Sequence, residues 1–249
     1  MTNNENCLWF AIKILIICLV FCVIIWILCI GADFFVQERK DTVVFEIKES
    51  VSVIIDAGHG GRDGGAVSRT GVSEKDLNLS VSNTLGDVLK LCGMNVVMTR
   101  KNDSLVCDEN DPALKGRIKM TDLKNRLNIA QDNHDAIFIS IHMNNFSVEK
   151  YSGLQVYYSP NNEYSFDLAK SIQERVTEVL QNENTRKVKK AGSSIYLLYR
   201  ITSPAVLIEC GFLSNLEEAE RLSNIDYQMQ LSLVFADCVL KNSYHIGNN

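Results

Sequence analysis

No CxxC pair occurs in this chain, although it carries eight cysteines. Cys7, Cys18, Cys22 and Cys29 lie in or beside an apolar N-terminal stretch, and Cys92, Cys107, Cys210 and Cys238 are scattered through the rest. Such wide, irregular spacing fits neither a zinc knuckle nor a disulfide framework, so most of these thiols are expected to act as small buried hydrophobes. Excess positive charge is also missing. The formal net charge is -5 and the pI about 5.5, which removes the basic footprint that nucleic acid requires, and no nucleic-acid partner is expected. There is no internal repeat. Hydrophobic residues at 46% and charged residues at 22% are ordinary fractions that exclude a disordered or collagen-like chain. A length of 249 residues suits one well-buried domain with a small appendage.

The appendage is apolar. Residues 14–32, ILIICLVFCVIIWILCIGA, run without a charge, close to the roughly 20 residues that span a bilayer core and longer than the about 7–15 of a secretory signal. Residues 1–32 are therefore expected to form one N-terminal transmembrane helix, an uncleaved anchor, with a cleaved signal as the alternative. Lys13 on one side is balanced by Arg39, Lys40 and Lys48 on the other, so the positive-inside bias does not orient the span. Residues 33–50 read as a tether, and 51–249 as the folded domain.

Within that domain, apolar runs at 53–56, 94–99, 136–142, 153–158 and 205–210 read as strands. They alternate with helical periodicities at about 73–92, 119–133, 166–179 and from 215 onward. The expected fold is α/β, a single domain with a mixed, largely parallel central sheet flanked by helices. Ser73 is expected to cap the first helix and Gly93 to end it. Residues 100–115 and 182–190 read as polar loops.

The organising stretch is VIIDAGHGGRDGG, Val53–Gly65, in which a buried strand opens into a glycine-rich loop carrying His59. The loop lacks the third glycine of a dinucleotide fingerprint, having Asp63 there, and no Gly-Lys-Ser/Thr follows, so nucleotide binding is set aside. Strand 136–141 leads into His142 and strand 205–208 into Glu209, so three parallel strand ends would bring their residues to one edge. Two imidazoles and a carboxylate make a three-ligand zinc site with an open fourth position. The further carboxylate is assigned to Glu74, fifteen residues after His59. Plainer readings stand beside these. Glu74 could serve only the dipole of the helix it begins, and Glu209 could be a buried carboxylate with a basic partner. His134 and His245 read as surface residues, and Asp56 and Asp63 as groups that orient a ligand histidine.

Four motifs taken together, IIDAGHGGRDGGA with SEKDLNL, SIHMN, PAVLIECGFLSN and the following EE, resemble the zinc-dependent N-acetylmuramoyl-L-alanine amidases of the amidase_3 family, from about Val51 to the end. The resemblance implies zinc on His59, Glu74 and His142, with Glu209 catalytic as the general base that passes a proton to the departing L-alanine amine. Departures are small: Met143 follows SIH where alanine is common, and Gln131 stands for the asparagine of R-x-x-x-A-N. The short segment 159–164 leaves no room for the self-blocking helix of some relatives. The match is most like the spore-cortex, germination-related amidases, which implies peptidoglycan as substrate and a role in muramic lactam formation. It further implies an extracytoplasmic domain, membrane attachment through the N-terminal helix, and possible need of an accessory activating protein. Two rivals are carried forward: a catalytically silent wall-binding module, and a metal-free glycosidase using two carboxylates such as Asp56 and Glu209.

Overall fold

The computed structural model describes residues 51–246, together with Leu19. The expected transmembrane helix and tether lie outside the described residues. Among those described, no helix is long and apolar enough to cross a membrane.

The elements follow as β1 (Val53–Ala57), α1 (Glu74–Leu91), β2 (Val96–Met98), a single 3-10 turn (Pro112–Leu114), α2 (Ile118–Asp132), β3 (Ile137–Asn144), β4 (Gln155–Tyr158), α3 (Tyr164–Val179), β5 (Lys189–Lys190), β6 (Ala205–Phe212), α4 (Leu216–Ser223) and α5 (Ile225–Ile246). These six strands form one sheet in the order β2-β1-β3-β6-β4-β5. β2, β1, β3 and β6 are mutually parallel, whereas β4 runs antiparallel to β6. The mixed, largely parallel α/β sheet expected from the sequence is thus present.

Chain chemistry explains this layering. All five residues of β1 are buried, as a central strand covered on both faces requires. On one face Val53, Ile55, Ile139 and Ile208 pack with Leu77, Val81, Leu85 and Leu89, the apolar stripe of α1, and with Ile172 of α3 and Phe235 of α5. On the other, Ile54, Phe138 and Ala205 meet Leu127 and Ala130 of α2 and Leu197, Leu198 and Ile201 of the segment before β6. Each large side chain among these, fully buried, contributes about 1.5–3 kcal/mol.

Several details depart from expectation. Ser73 occupies the N-cap position of α1, but its hydroxyl donates to the Gly64 carbonyl, 3.2 Å away, and caps nothing. Its bond ties the glycine loop down instead. Gly93 does end the helix, at φ 84°. Two exposed lysines in the predicted basic loop form β5, paired with β4. Cys210 and Cys238 are buried as expected, whereas Cys92 is exposed and Cys107 half-buried.

Candidate metal centre

β3 and β6 both run past the residues expected to end them. Alternation along each strand then sorts the side chains: Met143 and Cys210 enter the core, while His142 and Glu209, aligned across the pair, take the opposite face. The register shifts between His142 and Asn144, a bulge of the kind that re-aims strand ends beside active sites.

His59 stands two residues beyond β1 at φ 61°, the one non-glycine residue with positive φ among those described. This left-handed conformation is costly for a residue with a Cβ and marks functional loops. Glycine is required at two neighbouring points. A Cβ on Gly58 would lie 2.3 Å from the His142 ring, and one on Gly65 would lie 2.5 Å from Glu74 Oε2 and 2.8 Å from His59 Cδ2. The loop backbone therefore packs directly against the three candidate ligands.

Glu74, the first residue of α1, is 4% exposed. Its Oε1 is 3.2 Å from His59 Nε2 and 2.9 Å from His142 Nδ1. It also accepts the Met143 amide, while Oε2 accepts the Ala66 amide at 2.8 Å. One donor atom from each of His59, Glu74 and His142 lies within 4.8 Å of the others. Zinc bonds of roughly 2.0–2.2 Å in a tetrahedron place neighbouring donors about 3.4 Å apart, so both the donor types and the spacing fit that ion. The sequence-predicted trio is brought together.

Burial alone would raise the Glu74 pKa, but hydrogen bonds from His142 and His59 hold its carboxylate well below the usual range. For His59, burial works against the proton, and bonds to Glu74 and Asp63 outweigh it, leaving the imidazole raised above its ordinary value. Asp63 Oδ2 sits 3.1 Å from His59 Nδ1, where a carboxylate is able to fix the tautomer and orientation of the ring. Asp56 does not share that task. It lines the same cavity as His59 and His142, but its carboxylate accepts from Thr99, Ser140 and Arg126 at 2.8, 2.6 and 2.6 Å and is taken up by those donors. His134 is exposed beside Asp135, and His245 falls in α5.

Among the described residues, Glu209 forms no salt bridge with a lysine or arginine. Its Oε2 is buried without a hydrogen bond among the described residues. Desolvation, reinforced by the Glu74 charge and opposed by the two histidines, pushes its pKa up to about 7. A carboxylate aligned with one ligand and poised near neutrality is suited to accept and return a proton.

The family model of N-acetylmuramoyl-L-alanine amidases matches residues 53–241. The chain belongs to this family. Its reaction is hydrolysis of the amide between N-acetylmuramoyl and L-alanine, and its substrate is peptidoglycan. Among curated relatives, the germination-specific N-acetylmuramoyl-L-alanine amidase of Bacillus subtilis is 38% identical over 176 residues, 71% of this amidase and 73% of the relative. Among solved structures, the CwlD amidase of Clostridioides difficile, in complex with the GerS lipoprotein, superposes with a TM-score of 0.74 at 36% identity, covering 78% of this chain and 98% of that one. The AmiC2 amidase of Nostoc punctiforme gives 0.64 at 30% identity, over 77% and 96%.

Sequence reasoning missed three side chains that this amidase places under the loop. Arg100, Arg126 and Asn78 donate to backbone carbonyls of residues 57–59. A signal existed, since Arg126 shares the buried face of α2 with Leu127 and Ala130, but charge on a helix reads as solvent-facing unless its burial is known.

Proposed function

We propose that the amidase is zinc-dependent, that His59, Glu74 and His142 hold the ion, and that Glu209 is the catalytic general base. The single observation that carries this is the convergence of those three donors beside a buried, unpartnered carboxylate oxygen. When bound, zinc supplies a Lewis acid for the amide carbonyl and lets a water ionise near neutrality. Asp63 holds the His59 ring in one tautomer, with Nδ1 protonated and Nε2, on the Glu74 side, left free to serve as a ligand. The glycine backbone at 58 and 65 leaves room for the rings and the carboxylate to close up. Glu209 takes the proton of the attacking water and delivers it to the departing L-alanine nitrogen, so the leaving group departs as a neutral amine.

Asp56 bears on the glycosidase rival. It is 1% exposed and ion-paired to Arg126 at 2.6 Å, which takes Asp56 out of the role of free second carboxylate that this rival gives it. The silent-module rival would be expected to have lost a ligand or the base, and none is lost.

The finer biology follows from the relatives. One is named germination-specific and another was solved with a lipoprotein; we therefore propose action on spore-cortex peptidoglycan in muramic lactam formation, with an accessory activating protein. We further propose that residues 1–32 anchor the protein in the membrane, 33–50 form a tether, and 51–249 form the catalytic domain on the extracytoplasmic side, where peptidoglycan lies. The test is release of soluble stem peptide from purified peptidoglycan, with and without a chelator, followed by added zinc. Release that a chelator stops and zinc restores, yielding a free L-alanine amine, is expected. Chelator-insensitive release of reducing sugar would instead support a glycosidase.

A further inference from the structure

Two arginines lie beneath the ligand loop and touch none of the reacting groups. Arg100 is 4% and Arg126 2% exposed. Arg126 is neutralised by Asp56 and Asp122, at 2.6 and 2.7 Å. Its remaining donors reach the carbonyls of Ala57 and His59, each at 2.8 Å. Among the described residues Arg100 bonds only to carbonyls: Nε to Ala57 at 2.9 Å, Nη1 to Asn102 at 3.0 Å, and Nη2 to both Gly58 at 3.0 Å and Lys75 at 2.7 Å.

Those last two acceptors are informative. Gly58 precedes His59, and Lys75 follows Glu74. One planar nitrogen thus joins the backbone that carries the first ligand to the helix turn that carries the second. The carbonyls of residues 57, 58 and 59 are all engaged by guanidinium groups, in the segment where His59 takes its left-handed φ of 61°. A purely structural salt bridge would end on carboxylates. Four carbonyl acceptors, two of them beside metal-ligand candidates, indicate a device for fixing ligand spacing.

We infer that Arg100, supported by Arg126, is a positioning residue that presets the distance between His59 and Glu74 and so sets the enzyme's affinity for zinc. This rests on the zinc reading of the site. Arginine suits the task because its planar fork holds several acceptors in fixed directions, whereas the ammonium of lysine carries the same charge on a flexible stem without that geometry. Outer-shell partners of metal ligands are typically worth about 10–100-fold in affinity.

The test compares the metal-free wild-type protein with Arg100→Lys. Zinc affinity is read by competition with a fluorescent chelator, folding by metal-free thermal melting, and stem-peptide release as a function of zinc concentration. The expected result is a cooperative melt, zinc binding weakened about 10–100-fold, and turnover that is lost at limiting zinc and returns as zinc is raised. Affinity within about twofold of wild type in a folded Arg100→Lys protein, well short of the outer-shell effect, would overturn the inference, as would lost turnover that zinc does not restore. Should Arg100→Lys fail to melt cooperatively, Arg126→Lys carries the same expectation and the same refuting outcomes. A wild-type protein that releases stem peptide while binding no zinc overturns the zinc reading itself, and the inference with it.

Discussion

Glutamine in place of Glu209 keeps the outline of the side chain and removes its charge, which separates two quantities that this residue ties together. In the metal-free protein, burial raises the Glu209 pKa from 4.5 to about 7. A raised carboxyl pKa means that the folded state is penalised once the unfolded chain ionises. Below pH about 4.5 both states hold the proton, and the variant and wild type match. Between about 4.5 and about 7 only the unfolded wild-type chain releases it, and wild-type stability falls by about 1.4 kcal/mol per pH unit. Above about 7 the gap is constant, at up to about 3 kcal/mol. For a domain of this size that corresponds to roughly 6–12 °C in Tm. Thermal melts of both proteins from acid through neutrality into mild alkali, with metal removed, should show Glu209→Gln more stable above neutrality and equal in acid. Stem-peptide release by the zinc-loaded variant should meanwhile fall by about 10²–10⁴. A variant that gains no stability over wild type between acid and mild alkali would refute the burial argument, and retained turnover would refute the role.

Other substitutions probe the surroundings. His59→Ala should abolish both zinc uptake and turnover, measured by metal analysis and peptide release, whereas Asp63→Asn should weaken zinc binding by about tenfold or more while leaving the ion's stoichiometry unchanged. Gly58→Ala drives a methyl into the His142 ring; a stability loss of about 1–3 kcal/mol, seen in denaturant unfolding, should accompany loss of zinc. Asp56→Asn leaves the buried Arg126 short of one partner and should cost about 3–5 kcal/mol. The Asp56 pKa is lowered, despite its burial, by Arg126 and Ser140, so its contribution is present above its ordinary 3.8 and disappears as pH falls through the folded value. Acid unfolding of wild type should therefore begin below the ordinary Asp range, and the Asp56→Asn protein should lack that component.

The elements legible in the sequence were those whose apolar residues recur at the period of their own structure. VIIDA and AVLIEC are continuous apolar runs, and a strand covered on both faces needs nothing else. The Glu209 and His142 positions were legible for the same reason, as single polar residues closing an apolar run. What could not be read is what depends on neighbours distant in sequence. β5 is two exposed lysines, and only the adjacent strand makes it one. The bulge after His142 is a property of a strand pair, invisible in either strand alone. Of Asp56 and Asp63, the two aspartates read as orienting groups, the pleat sends Asp56 to Ser140 and Arg126, and only Asp63 is in contact with His59. Glu74 is ambiguous from spacing alone, because an acid in a helix's first turn has a sufficient electrostatic reason to be there; its contacts with both histidines depend on strands far away in the chain.

β6, the last of the described strands, sits in the middle of the sheet, between β3 and β4. As synthesis proceeds, residues before 205 leave those two strands with unpaired edges that the arriving segment 205–212 fills. Pairings of such long sequence separation are slow to form, and open edges are prone to wrong partners in the interval. The same insertion delivers Glu209. Completion of the sheet and placement of the proposed general base are thus one event, and a chain interrupted before β6 has neither.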